Sequence, residues 1–156
     1  MLTRGALGAW IWMLVVVGVV FAADRVTKHA VEQSIVGGEE RRFLPGIELV
    51  HSNNPGVAFR FLPGNHVAVT ILIGVALAAL LGYFALHATL RLIWLPTGME
   101  LGGALGNVYD RITHGSVTDF IQLPLGWPAF NVADACITVG IVILFILIDT
   151  SRGRGA

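Results

Sequence analysis

The chain alternates long apolar runs with shorter polar segments. Gly5 to Ala23 and Val67 to Leu86 contain no charged residue. Leu92 to Tyr109 carries one charge, Glu100, and contains Pro96; Val132 to Ile148 carries only Asp134, near its start. A helix that crosses a bilayer needs roughly 20 mostly apolar residues. The pattern therefore predicts four transmembrane helices, over about 5–23, 67–86, 92–110 and 132–148. Read instead as core helices of a soluble domain, the same segments leave too little polar sequence to cover them. The expected fold is a mainly α membrane protein, a single integral domain over 1–156. Arg4 ahead of the first run is similar to a secretory signal, and Val20-Phe21-Ala22 passes for a cleavage site. The run is longer than the 7–15 residues of a signal core, so a retained first helix is expected. Pro96 predicts either a kink in the third helix or a later start to it.

Two polar segments, 24–66 and 111–131, separate the runs as outer loops. Ile47 to His51, Val57 to Phe61 and Val117 to Ile121 read as short strands. Asn54-Pro55-Gly56 is a turn signal, and Glu39-Glu40-Arg41-Arg42 reads as a solvated turn. A small extracytoplasmic β-sheet on the membrane surface accommodates these strands, with Trp127 suited to an interfacial anchor. Arg4, Arg91, Arg152 and Arg154 lie in very short flanks. Positive-inside counting then puts both termini in the cytoplasm and the two loops outside.

Composition narrows the function. Hydrophobic residues make up 55% of the 156 and charged residues 13%, against about 25% charged in soluble domains. Ten basic and ten acidic residues balance, so the basic excess of a nucleic-acid binder is missing and no nucleic-acid partner is expected. A lone cysteine, Cys136, excludes an intramolecular disulfide, and five scattered histidines make no metal-ligand spacing. No metal or organic cofactor is expected.

The polar residues inside or beside the apolar runs require explanation, because charge at membrane depth is costly. Glu100, Gly103, Asn107, Asp110 and Arg111 recur at steps that place them on one helix face. Gly102 and Gly106 form a small-xxx-small pair that lets another helix approach. Plain helix packing explains the glycines, and Asp110 with Arg111 most simply neutralise each other or neighbouring charges. Asp119 and Asp134 differ: neither has Lys or Arg within seven positions. The 14 residues between them are enough to leave the third helix region, form a surface strand and re-enter as the fourth helix. Spacing alone fits equally two water-facing carboxylates, Asp134 near a helix N-terminus where an acid is favourable. If the two meet, they share a proton, one polarising a peptide carbonyl and the other activating water. The five histidines lie in loops or helix ends without a partner motif, and Cys136 reads as a packing residue.

Asp24 to Lys28, Asn54 to Phe59, Gly102 to Arg111 with its continuation Gly115 to Phe120, and Phe130 to Asp134 together resemble the blocks of bacterial lipoprotein signal peptidase (signal peptidase II), a membrane aspartic peptidase, over nearly the whole chain. Asp24-Arg25-Val26-Thr27-Lys28 is similar to its D-x-x-T-K block, and Asn54-Pro55-Gly56-Val57-Ala58-Phe59 to N-x-G-x-A-F. Gly102 to Arg111 resembles G-G-A-x-G-N-x-x-D-R, Gly115 to Phe120 G-x-V-x-D-F, and Phe130 to Asp134 F-N-x-A-D. The resemblance implies Asp119 and Asp134 as catalytic, with support or substrate contact from Asp24, Lys28, Asn54, Gly56, Gly103, Asn107, Asp110, Arg111 and Asn131. It implies hydrolysis before the diacylglyceryl-modified cysteine of a prolipoprotein, without a metal or cofactor. It also implies four transmembrane helices, a β-cradle, a short amphipathic helix, contact with membrane lipid, and blockage by globomycin-like cyclic peptides. A monomer in the bacterial cytoplasmic (inner) membrane is expected. On bare sequence Asp24 and Lys28 make an i,i+4 surface pair; the resemblance moves them to the site. Glu100 departs from the expectation of an apolar residue in mid-helix.

Three other readings compete. A proton-coupled transporter needs acids spread across the bilayer, whereas Glu100 is the deep one here. A presenilin-type protease pairs a Y-D with a G-x-G-D motif in long hydrophobic helices, and this chain has no G-x-G-D. A membrane scaffold has no need for two outer loops rich in Asn, Asp and Gly.

Overall fold

The computed structural model of the chain describes residues 4–37, 39–55, 66–124 and 126–152. Within them are four helices and three strands: α1 Arg4–Ser34, β1 Glu40–Leu44, β2 Ile47–Asn54, α2 His66–His87, α3 Trp94–His114, β3 Val117–Gln122 and α4 Val132–Arg152. The protein is mainly helical, with one small antiparallel sheet in the order β1-β2-β3. Gly56 and the strand expected over Val57 to Phe61 lie outside the described residues.

Helix α1 runs past the apolar stretch because neither Gly nor Pro interrupts Asp24 to Ser34. Its 31 residues span about 46 Å at 1.5 Å per residue, more than the roughly 30 Å hydrocarbon layer of a bilayer. Asp24, Lys28, Val31 and Ile35 are buried at four- and three-residue steps, so one face of this extension is covered. Val31 and Ile35 pack against Phe120 of β3, which seats the sheet on the end of α1. Asp24 and Lys28 are thus helical, and the segment between α1 and α2 begins after Ser34 rather than at Asp24. Among the described residues between α1 and α2 there is no separate short helix.

The strand pattern also needs one correction. Glu40, Arg41 and Arg42 belong to β1, not to a turn; the turn is Pro45-Gly46, with Gly46 at φ +81°. Every residue of β1 is exposed, so its sequence carries no alternation to betray it. β2 pairs with β3 so that Ser52 opposes Asp119 and Asn54 opposes Val117.

Helix α3 is central. Gly98 and Gly102 face Met13, Val16, Val17 and Val20 of α1, where an added Cβ would fall 2.7–2.9 Å from existing atoms. Gly103 faces α4, where a Cβ would lie 2.6 Å from the Ala133 carbonyl. The glycines therefore serve two interfaces at once. Pro96 lies in the first turn of α3, where its missing N–H removes no helical bond, so it marks the start and not a kink. Gly115 closes the helix with φ 73° and donates to the Arg111 carbonyl. Helix α2 joins through Phe84, which packs edge-on against Trp10 of α1.

Leu7, Ile11, Val15 and Val19 on α1, Ile71, Leu72 and Val75 on α2, and Val142, Phe145 and Ile146 on α4 all point outward. In water this much exposed apolar surface would drive association. By length and composition α1 and α4 can cross a bilayer, and α2 adds a shorter apolar stretch, Ile71–His87.

Candidate active site

The site is assembled where the C-terminal halves of α1 and α3 and the N-terminus of α4 meet β3. Asn131 precedes α4 and caps it: its Oδ1 accepts from the Asp134 amide at 2.9 Å, and Asp134 Oδ2 accepts from the Asn131 amide at 3.3 Å. This is a reciprocal capping box, so helix initiation itself aims the Asp134 side chain. Asp119 is on β3, nearly fully buried. Asn131 Nδ2 donates to Asp119 Oδ1 at 2.7 Å. One asparagine therefore touches both carboxyl groups, as neither turn nor strand geometry alone would achieve.

Further amides complete the enclosure. Asn54 Nδ2 at the end of β2 donates to Asp119 Oδ2 at 3.0 Å. Asn107 Nδ2 on α3 donates to Asp134 Oδ1 at 2.8 Å. The Asn107 side-chain Oδ1 in turn accepts from Asn131 Nδ2 at 3.2 Å and Lys28 Nζ at 3.0 Å. Asp119, Asp134, Asn54, Asn107 and Arg111 line one cavity of about 570 Å³, with Trp127, Phe130 and Ile137 among its apolar walls. The combination of apolar walls and a few convergent polar groups is that of a ligand site. Trp127 is exposed as well as lining the cavity.

Burial pushes the Asp119 carboxyl up from 3.8 to about 6. The Asn54 hydrogen bond opposes that rise, the charge of Asp134 adds to it, and Asn131 and Lys28 oppose it. A carboxyl half-protonated near neutrality beside a second carboxyl can both donate and accept a proton.

Behind the cavity is a buried charge cluster. Asp24, Lys28 and Asp110 are fully buried. Lys28 Nζ lies 2.7 Å from Asp24 Oδ2 and 2.8 Å from Asp110 Oδ2. Asp110 also pairs with Arg25, whose guanidinium is 4.5 Å from the centre of the Tyr109 ring. Asp24 Oδ1 accepts from the Ala133 amide at 3.0 Å, satisfying a second free N–H at the start of α4. Asp24 and Lys28 are thus an interior pair joining α1 to α3 and α4, not a surface pair. Asp110 neutralises neighbouring charges, Arg25 and Lys28, while Arg111 turns to the cavity side, donating to the Asn107 main-chain carbonyl at 3.1 Å and sensing the charges of Asp134, Asp119 and Asp110.

Of the residues singled out in the sequence, five line the cavity and Asn131 bridges the two acids. Asp24, Lys28 and Asp110 stand one layer back, Gly103 is a helix contact, and Gly56 lies outside the described residues. Glu100 shares the α4-facing side of α3, its Cγ close to Gly140. Three contributors went unnoticed. Arg25 and Thr118 lay within the quoted blocks, and Glu32 lay outside them. Helical spacing from Lys28 to Glu32 (i,i+4) was the available signal for the last.

Comparisons with known proteins follow the same lines. A family model described as signal peptidase (SPase) II matches residues 16–149. The lipoprotein signal peptidase of Paraburkholderia phymatum is 38% identical over 97% of this chain and 93% of its own. That of Aquifex aeolicus is 37% identical over 88% of this chain and 85% of its own. Among solved structures, one described as a bacterial membrane enzyme superposes with a TM-score of 0.84 at 26% identity, covering 92% of this chain and 91% of that one. A second, described in the same words, gives 0.79 at 28% identity over 87% and 91%.

Proposed function

The chain belongs to the signal peptidase II family, and from that premise we propose that it hydrolyses prolipoproteins before their diacylglyceryl-modified cysteine, using Asp119 and Asp134 as a proton-sharing pair. The enzyme is a peptidase of the lipoprotein signal peptidase family. The observation that carries the finer reading is that Asn131 holds both carboxyl groups against one cavity.

The ionised member of the pair takes a proton from a water in the cavity, and that water attacks the scissile carbonyl carbon. The neutral member donates a hydrogen bond to the carbonyl oxygen as it gains negative charge. The tetrahedral intermediate then collapses, the C–N bond breaks, and the proton passes to the departing amine. The acids titrate as a unit, so no fixed role is given to either. Asn54, Asn107 and Asn131 orient the carboxylates, Arg111 balances their charge, and Asp24, Lys28 and Asp110 hold α1, α3 and α4 in register. Gly56, two residues after Asn54 in sequence, would leave room for substrate backbone.

Four transmembrane helices with both termini cytoplasmic place the site at the outer face of the cytoplasmic (inner) membrane. The outward apolar side chains of α1, α2 and α4 support the membrane reading, as does an α1 longer than a hydrocarbon layer is thick. The lipid-bearing substrate then approaches from the bilayer, to a monomer that needs no cofactor, and globomycin-like cyclic peptides compete for the same cavity. The test is incubation of a lipidated prolipoprotein with purified protein. Asp119→Asn and Asp134→Asn should each lose cleavage at least about 100-fold while inserting normally. Undiminished cleavage by either variant rejects the mechanism.

A further inference from the structure

The part of α1 beyond Lys28 plays no role in the mechanism above, yet it reaches β3 next to Asp119. Glu32 is one helical turn beyond Lys28 and partly buried. Its Oε1 accepts a hydrogen bond of 2.8 Å from Thr118 Oγ1. Thr118 is the residue before Asp119, only 4% exposed. Its carbonyl accepts from Asn131 Nδ2 at 3.4 Å, and its amide points to Asp110 Oδ2 at 3.5 Å. In the sheet it pairs with Asn53 of β2. Adjacent strand residues face opposite sides of a sheet, so gripping the Thr118 side chain from one side fixes where Asp119 points on the other. The Asn131 and Asp110 contacts at Thr118 are long, whereas the Glu32 bond is short and charge-assisted, the stronger kind.

We propose that Glu32 and Thr118 are positioning residues for Asp119: the Glu32 carboxylate holds the Thr118 hydroxyl, and Thr118 holds the stretch of β3 that presents Asp119 to the cavity. The inference rests on the reading of Asp119 as a catalytic carboxyl. Neither residue touches substrate; each acts through the strand. Loss of the bond lets the strand shift and water reach Asp119. Displacements of about 1 Å at a reacting group cost up to roughly 100-fold in rate, so a loss of about 10-fold is expected for a strand still held by β2.

The experiment compares Thr118→Val, Thr118→Ser, Glu32→Ala and Glu32→Gln with wild type and Asp119→Asn, in the full-length protein. It measures prolipoprotein cleavage from about pH 4 to about pH 8, with thermal unfolding to give the folded fraction. Val removes the hydroxyl at nearly constant shape, while Ser and Gln keep a donor and an acceptor. Thr118→Val and Glu32→Ala should lower kcat about 10-fold with KM changed less than about twofold. They should also move the acid limb of the kcat profile to lower pH, because the burial that holds Asp119 high is relieved. The charged groups facing Asp119 are Asp134 from α4, Lys28 from α1 and Arg111 from α3; β2 brings neutral Asn54. All remain in these variants. Thr118→Ser and Glu32→Gln should stay near wild type. A loss of folded fraction lowers kcat and, where it grows in acid, moves the limb to higher pH, opposite to the shift expected. An unmoved limb, or Val and Ala variants as active as wild type, overturns the proposal while an inactive Asp119→Asn leaves the two-acid mechanism standing. An active Asp119→Asn overturns both. Glu32→Ala, on the more accessible partner, carries the test if Thr118→Val fails to fold.

Discussion

Replacing Asp119 by Asn should make the protein inactive and should raise its stability relative to wild type as pH increases. Burial raises the Asp119 carboxyl from 3.8 to about 6. A group whose folded-state value is raised stabilises the fold fully below its unfolded value and loses that contribution as pH rises through the folded one. Between about pH 4 and pH 6 the wild type therefore surrenders stability as Asp119 ionises. The displacement corresponds to about 3 kcal/mol; Asp119 is 3% exposed, so solvent screening removes little of it. Asparagine never ionises and matches the protonated acid in shape; its NH2 cannot accept the hydrogen bond that one Asp119 oxygen takes from Asn54 or Asn131, a fixed cost that does not vary with pH. The two proteins should thus have nearly the same relative stability at every pH below about 4. Above about pH 6 the variant should gain on the wild type by a few kcal/mol. The assay is unfolding of both proteins in the same detergent across that range, scored as the difference between them so that other titrations cancel. A difference that stays flat from pH 4 to pH 8 would refute the argument that Asp119 is held neutral by desolvation.

Three further outcomes follow from the same geometry. Lys28→Met leaves Asp24 and Asp110 facing each other in the interior without their shared cation; a loss of about 3–5 kcal/mol is expected, visible as poor yield and early unfolding, and normal stability would show the cluster to be dispensable. Gly103→Ala sets a methyl group 2.6 Å from the Ala133 carbonyl and should destabilise by about 1–3 kcal/mol with reduced cleavage, while Gly5→Ala, with open space around it, should be silent in both measurements. Glu100→Met replaces a carboxyl whose buried Oε1 has no hydrogen-bond partner among the described residues, so thermal stability should rise, by about 1–2 kcal/mol; a fall would mean that the carboxyl is satisfied.

The apolar runs made the mainly helical architecture legible, and alternation revealed Ile47 to His51 and Val117 to Ile121 as strands. β1 escaped because all its residues are exposed and its charges look like those of a turn. The continuation of α1 through Asp24 to Ser34 escaped for a related reason: hydropathy falls at Asp24, although nothing there breaks a helix. At the site, Asn131 and Asp134 were legible as part of a spaced block, but not as a capping box, since reading that requires knowing where α4 begins. Partner choice was not legible at all. Asp110 neighbours Arg111 in sequence, yet a 100° step between consecutive helical residues turns one toward α1 and the other toward the cavity. Lys28 looked like half of a surface pair because sequence spacing cannot reveal that α3 covers it.

The reciprocal hydrogen bonds between Asn131 and Asp134 turn an ordinary folding device into a ruler. The interval of three residues between amide and acid is dictated by the pitch of the first helical turn, and the chemistry of peptide cleavage has no say in it. A single inserted or deleted residue there would rotate the carboxyl by about 100° and carry it out of the cavity, even though every functional side chain was still encoded. An engineer wishing to plant an aimed carboxyl at the mouth of an unrelated helical bundle could borrow the same two-residue jig.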